Sequence, residues 1–416
     1  MTKKPTMAQA SGFAADHRVR LLQGTGELFP ALIEAMDAAL SDIQFETYIF
    51  DFTDSGASVA QALMRAAARG VRTRLVVDGV GTGPLPRVWA ERLHAAGVQC
   101  CVYSPLGPLG LLLPRCWRRL HRKLCVVDGR LLFCGGINVL DDFHDPKHGR
   151  LEAPRLDFAV RASGSLVALA SDAMEQLWWR LQAVRDARQR RLPEALQALQ
   201  ALRTASVTSA ARRAAHGDAG QFMRAALVLR DNLRHRSQIE RAYRRAIGAA
   251  RREIIIANAY FMPGGKLRRA LVLAALRGVR VRLLLQGRYE HFMQYHAARP
   301  VYGALLAAGV EIYEYAPSFL HAKVAVIDAQ GRRPWATVGS SNLDPLSLLL
   351  AREANVVVQD AAFACDLRQR LLRAIQQAGR RMDPARYAGR PLRQRLLERI
   401  AYALMRLALW VTGQRY

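Results

Sequence analysis

The stretch Arg69-Gly-Val-Arg-Thr-Arg-Leu-Val-Val-Asp78 returns in the second half of the chain as Arg277-Gly-Val-Arg-Val-Arg-Leu-Leu-Leu-Gln286. Each copy follows an apolar helical pattern, at 57–69 and 265–277, and each helix follows a strand-like run, Glu46–Phe50 and Ile254–Phe261. Downstream, both copies continue through a helix ending in Ala-Ala-Gly-Val, at 95–98 and 307–310, and a short strand reaching Tyr103 or Tyr313. Self-similarity of this length marks a duplicated unit. Apolar strand runs alternating with helices of 12–15 residues are the signature of βαβ units on a sheet covered on both faces. The expected fold is therefore α/β, with two similar lobes, each a mixed or parallel sheet flanked by helices, sharing one active site where they meet.

Composition agrees with a large folded protein. The 416 residues are 51% hydrophobic, which suffices for a sizeable core and excludes collagen-like or disordered chains. Lys and Arg number 61 against 34 Asp and Glu, a net charge of +27. The excess runs along the whole chain, so an anionic partner is expected, phospholipid or nucleic acid. Only 6 of the basic residues are lysines, and the Ala- and Arg-rich composition weakens any argument from charge alone. The 6 cysteines show no CxxC pair and no metal-like spacing with histidine, which points to reduced thiols and a cytosolic setting. No stretch of 18 uncharged apolar residues occurs, so membrane contact is expected to be peripheral. By organisation, residues 1–18 read as a disordered N-terminus, 19–182 as the first lobe, and 183–221 as an Arg- and Ala-rich linker. Residues 222–385 read as the second lobe and 386–416 as an amphipathic C-terminus.

Each repeat carries the same polar constellation: His121-Arg-Lys123 with Asp128 and then Asn138, and His321-Ala-Lys323 with Asp328 and then Asn342. Histidine and lysine two apart on a strand project from one face and address one ligand together. That set suits a phosphodiester. One imidazole can attack phosphorus, and the second can protonate the departing oxygen. Two lysines and two asparagines can hold the non-bridging oxygens, whose charge grows in the transition state. The scheme calls for no metal and no cofactor. Asp128 and Asp328 complete the motifs and are grouped with the catalytic residues, although their place at strand ends suits turn stabilisation.

This doubled HxKxxxxD pattern resembles the phospholipase D superfamily. The segments Arg118-Arg-Leu-His-Arg-Lys123, Ile256–Phe261 and Thr337–Ser347 with Glu353-Ala-Asn-Val356 are similar, more narrowly, to the bacterial cardiolipin synthases of type B. The resemblance implies two phospholipase D-like lobes with one site, a phosphohistidine intermediate, and phosphatidyl transfer from a phospholipid donor to phosphatidylglycerol. It implies His121 as nucleophile and His321 as general acid. Asp157 and Glu353 stand where such proteins place the carboxylates that orient the imidazoles. Implied partners are anionic phospholipids, phosphatidylglycerol and cardiolipin among them, and the membrane surface, on the cytoplasmic face of the inner membrane. A hydrolytic phospholipase D and a nucleic-acid phosphodiesterase remain alternatives. Against the latter, the chain has no basic stripe interleaved with aromatics, and a nucleic-acid partner is not expected.

Two segments are apolar enough for lipid. Residues 104–120 form an apolar loop rimmed by Arg115, Arg118 and Arg119, either packed between the lobes or open to a membrane. Leu392–Val411 places Leu396, Ile400, Leu404 and Leu407 opposite Arg395, Arg399, Tyr402 and Arg406, as an interfacial helix or one packed on the core.

Overall fold

A computed structural model describes residues 13–106, 110, 117–146, 148–189, 191, 193–198, 200–201, 222–230, 237–288, 292–344 and 351–411. The first lobe contributes β1 (Ala14–Gln23), β2 (Asp42–Thr47), β3 (Arg72–Asp78), β4 (Gln99–Tyr103), β5 (Arg119–Leu120), β6 (Lys123–Val127) and β7 (Leu131–Gly135). A small hairpin of β8 (His144–Asp145) and β9 (Gly149–Arg150) precedes β10 (Phe158–Ser163). The second lobe contributes β11 (Met223–Arg230), β12 (Glu253–Asn258), β13 (Arg280–Gln286), β14 (Glu311–Tyr315), β15 (Lys323–Ile327), β16 (Trp335–Gly339), β17 (Ala351–Gln359) and β18 (Gly379–Arg381). Helices are α1 (Gly24–Asp37), α2 (Asp54–Ala68), α3 (Arg87–Ala95), α4 (Leu166–Arg188), α5 (Gln238–Ala249), α6 (Gly265–Leu276), α7 (Phe292–Ala307), α8 (Ala361–Ala378), α9 (Pro384–Ala388) and α10 (Leu392–Val411).

The duplication is visible in the strand order. From the centre outward, the first lobe runs β1, β10, β7, β6, β2, β3, β4 and the second runs β11, β17, β16, β15, β12, β13, β14. The quoted repeat forms β3 and β13, each parallel to both its neighbours. All other pairings within this order are antiparallel, so each lobe's sheet is mixed. The two lobes also share one sheet, because β1 pairs antiparallel with β11. Residues 14–18, assigned above to a disordered tail, lie in this central strand. Their alternation, with His17, Val19 and Leu21 buried between exposed Arg18 and Arg20, is the period of a half-covered strand.

Three layers follow. The apolar runs of β2 and β3 bury Ile43, Phe45, Leu75 and Val77 under α1 and α2, with Leu32, Val59 and Leu63 completing that core. The second lobe repeats this with Ile254, Ile256, Leu283 and Leu285 against Leu267, Leu271 and Leu305. On the other face a single core crosses the junction, joining Val160, Leu166 and Met174 to Val356, Leu367 and Leu371. Burial of this kind contributes roughly 25 cal/mol per Å² of apolar surface, so the continuous core helps to hold the two lobes together.

Part of the 183–221 segment, residues 183–188, belongs to α4, residues 193–198 are also helical, and residues 202–221 lie outside the described residues. Of the 104–120 loop, residues 107–109 and 111–116 lie outside them as well. The helix α10 is packed on the second lobe along one face, as one of the two readings has it, and exposes an apolar row along another. Ala401 and Glu398 are buried, and Tyr402 and Met405 pack against the second-lobe core, while Glu398 accepts from Arg390 at 2.7 Å. Leu392, Leu396, Ile400, Leu404 and Leu407 form an exposed row, with Leu392 78% accessible and Leu404 51%. Among the described residues, no helix is long and apolar enough to cross a membrane.

Candidate active site

The strands β6 and β15 begin at the two motif lysines, and both histidines stand immediately before them, at the ends where β2 and β12 finish. The residues closing the quoted repeat fix the approach to each histidine. Asp78 accepts from the Leu120 backbone N–H at 2.8 Å and from Arg119 at 3.1 Å, and Gln286 Oε1 accepts from the Leu320 N–H at 3.2 Å. The backbone of each histidine is then stitched to the opposite lobe. The His121 N–H donates to Arg352 O at 3.1 Å, and the His321 N–H to Leu156 O at 2.9 Å.

Those crossings bring each imidazole to a carboxylate of the other lobe. His121 Nδ1 lies 3.2 Å from Glu353 Oε2 and 3.0 Å from Oε1. His321 Nδ1 lies 2.6 Å from Asp157 Oδ2. A carboxylate accepts, so a proton on Nδ1 leaves the Nε2 lone pair of the ring for chemistry. Both carboxylates are buried, Glu353 completely, while the histidines keep a small exposed edge. Lys123 and Lys323 are buried too, and each Nζ donates to the carbonyl of its own motif histidine, at 2.8 Å for Lys123. Asn138 Oδ1 accepts from the Ile49 N–H at 3.2 Å and Asn342 Oδ1 from the Tyr260 N–H at 3.4 Å, which leaves the amide nitrogens as the available donors.

Electrostatics follow from so many ionisable groups in so little water. Burial, then the repulsion of Lys323, brings the Lys123 ammonium down to about 7. Burial likewise raises Asp157 to about 7. It lowers His121 and, together with both lysines and His121, drives His321 well below its usual value. All four shifts favour neutral forms, because burial makes charge costly there. An anion seated beside the two lysines would favour their charged forms.

Asp128 and Asp328 do not join the site, which corrects their grouping with the catalytic residues. They lie at the far ends of β6 and β15, in positive-φ turns of 50° and 47°. Asp128 accepts from the N–H groups of Leu40, Ser41 and Asp42, and Asp328 from those of Arg251, Arg252 and Glu253. Each ties its hairpin to the start of the neighbouring strand.

Sequence reasoning missed several participants. Ser340 Oγ donates to Glu353, and at the matching place Gly136 lies so close to Asp157 that a Cβ there would stand 2.4 Å from Oδ1. The signal was present as Gly-Gly in one motif and Gly-Ser in the other. Tyr48 lies beside His121 with ring centroids 4.9 Å apart, and its position in the repeat carried no marker.

The chain is similar to known proteins over most of its length. Residues 32–143 and 243–375 match the family described as cardiolipin synthase, PLD-like domain. Cardiolipin synthase B of Salmonella typhi is 36% identical over 369 residues, 86% of this chain and 81% of that protein. Cardiolipin synthase B of Escherichia coli (strain K12) is 36% identical over 364 residues, 85% and 79% of the two chains. A solved phosphatidylserine synthase from Haemophilus influenzae superposes with a TM-score of 0.63 over 95% of each chain at 11% identity, a likeness of fold.

Proposed function

Since the chain belongs to the family of phospholipase D-like cardiolipin synthases, we propose that it is a phosphatidyltransferase forming cardiolipin from a phospholipid donor and phosphatidylglycerol. The crossed pairing of His121 with Glu353 and His321 with Asp157 carries this reading, because it sets two imidazoles within one cleft, each with Nδ1 held by a carboxylate and Nε2 left for attack on phosphorus or for carrying the proton. His121 Nε2 attacks the donor phosphorus, and the bond from phosphorus to the donor's headgroup oxygen breaks as that oxygen takes a proton from His321. The phosphatidyl group now rests on His121. A hydroxyl of phosphatidylglycerol then attacks, gives its proton to His321, and displaces the imidazole. Lys123, Lys323, Asn138 and Asn342 hold the non-bridging oxygens through both steps.

The lipids sit in a bilayer, and the exposed row on α10 gives the protein a face for it. Leu396, Ile400 and Leu404 would enter the acyl boundary at the cytoplasmic surface, with Arg393, Arg395 and Arg399 toward anionic headgroups, each contributing about 1 kcal/mol near the surface.

Mass spectrometry of the products from purified full-length protein and phosphatidylglycerol in mixed micelles tests the reading. Cardiolipin made by the wild type and missing with His121→Ala supports it. Phosphatidic acid as the sole product would make the protein a hydrolase.

A further inference from the structure

Tyr48 breaks the two-fold likeness of the site. Glu46 of β2 stands opposite Leu124, and Ala257 of β12 stands opposite Val324, which makes Ala259 the second-lobe counterpart of Tyr48. The phenol ring lies 4.9 Å from the His121 imidazole at an interplanar angle of 57°, and Lys123 Nζ lies 5.3 Å from the centre of the same ring. His321 has only a methyl group at the corresponding position. The main chain of Tyr48 is held in turn. Thr82 Oγ1 donates to its carbonyl at 3.0 Å, and Gly81 approaches so closely that a Cβ would stand 2.3 Å from that oxygen. The ring is half-buried, and its hydroxyl has no hydrogen-bond partner among the described residues.

An aromatic ring placed this way does two things. It confines the imidazole to one orientation, through ring contact on one side and Glu353 on the other, and it fills space beside Lys123 that water would otherwise take. The cation and ring attract each other as well, so Lys123 stays seated over it. The histidine so covered is the one assigned to carry the phosphatidyl group. We propose that Tyr48 shields the phosphatidyl group on His121 from water and so directs it to a lipid alcohol.

The inference rests on the transferase reading. In either outcome the phosphorus–nitrogen bond to His121 breaks and a phosphorus–oxygen bond forms, with the proton of the attacking hydroxyl passing to His321. A phosphatidylglycerol hydroxyl gives cardiolipin, and water gives phosphatidic acid. The ring, rather than its hydroxyl, decides the partition.

The test is the ratio of phosphatidic acid to cardiolipin formed by the full chain in mixed micelles of phosphatidylglycerol and phosphatidylethanolamine. Tyr48→Ala should raise that ratio about tenfold while the sum of the two products falls much less, a split that loss of folded protein cannot produce. Tyr48→Phe should keep the wild-type ratio, and Tyr48→Val, which fills the strand end without a ring, should behave as Tyr48→Ala. An unchanged ratio in the Ala and Val variants overturns the inference, as does a Phe variant that matches Ala. A wild type that releases phosphatidic acid alone fails the transferase reading first, and the inference with it.

Discussion

Glu353 holds the ring of His121, at 3.0 Å from Nδ1, although 232 residues separate them and they belong to different lobes. The carboxylate is completely buried and is also held by Ser340. Glu353→Gln keeps the volume and a hydrogen-bonding group but removes the charge that stabilises the imidazolium. Turnover should drop by about 10²–10⁴-fold, the usual worth of such assistance, with the melting temperature little changed. Activity within a factor of about three of wild type would mean that Glu353 only packs.

His121→Ala and His321→Ala should each remove activity almost completely, and the double variant should be no worse than either, since both residues serve one reaction. A denaturing quench at mildly alkaline pH of wild type with phosphatidyl-labelled donor should place a base-stable, acid-labile label on the peptide containing His121. Label on the His321 peptide would exchange the two roles. Because Lys123 and Lys323 meet the phosphate charge, chelators should leave the rate intact.

The shifted groups predict the form of the pH profile. On the proposed mechanism Lys123 must be charged to hold the phosphate, and its value of about 7 means that this charge is lost as pH rises through 7. His321 must carry the proton it donates, and its own value lies well below the usual one. With rising pH the parameter kcat/KM, which reports the free enzyme, should therefore begin to fall below about pH 7 through His321 and fall more steeply above about pH 7 through Lys123. The bound anion draws the lysine back up, so the alkaline limb of kcat should lie higher. His121 loses its neutral form only below its lowered value, which places the acid limb under 6.5. A flat kcat/KM up to about pH 9 would exclude Lys123 as the titrating group.

Gly136→Ala and Ser340→Ala probe the same place in the two motifs with opposite sizes of effect. A methyl group at 136 collides with the Asp157 carboxylate and should cost nearly as much activity as Asp157→Ala. Removing the Ser340 hydroxyl loses its hydrogen bond to Glu353 and the one it accepts from the Ala354 N–H, about 2 kcal/mol, or roughly thirtyfold in rate. Equal losses in the two variants would refute the distinction.

Replacing Leu396, Ile400 and Leu404 with Gln leaves the buried Ala401 face of α10 untouched. The triple variant should lose most of its co-sedimentation with phosphatidylglycerol vesicles, and its activity on vesicles should fall far more than that on a short-chain, micellar substrate. Undiminished sedimentation would move the docking surface elsewhere.

Much of this site is legible in the chain because its chemistry follows short spacings. His121 and Lys123, or His321 and Lys323, stand two apart where a strand begins, and the repeat supplies the second set. What could not be read depends on strands that meet across long separations. Nothing local in Asp78 or Gln286 says that its side chain caps the residue before a distant histidine, and only the parallel pairing of β3 and β13 with their neighbours puts it there. The joining of the lobes by β1 and β11 was hidden for the same reason, since a polar, alternating strand at residues 14–18 looks like a tail until its partner is known. Asp128 and Asp328 show the converse: they share the motif with the histidines, yet strand length carries them to the other end of the sheet.

The exchange of carboxylates between lobes also has a meaning in time. As the chain is synthesised, the first lobe can gather its strands around His121 long before Glu353 exists, and the imidazole then has no partner for Nδ1. Asp157 is made early but waits for a histidine that arrives 164 residues later. A site whose imidazole partners come from opposite lobes is thus completed only when the last strands of the shared sheet close.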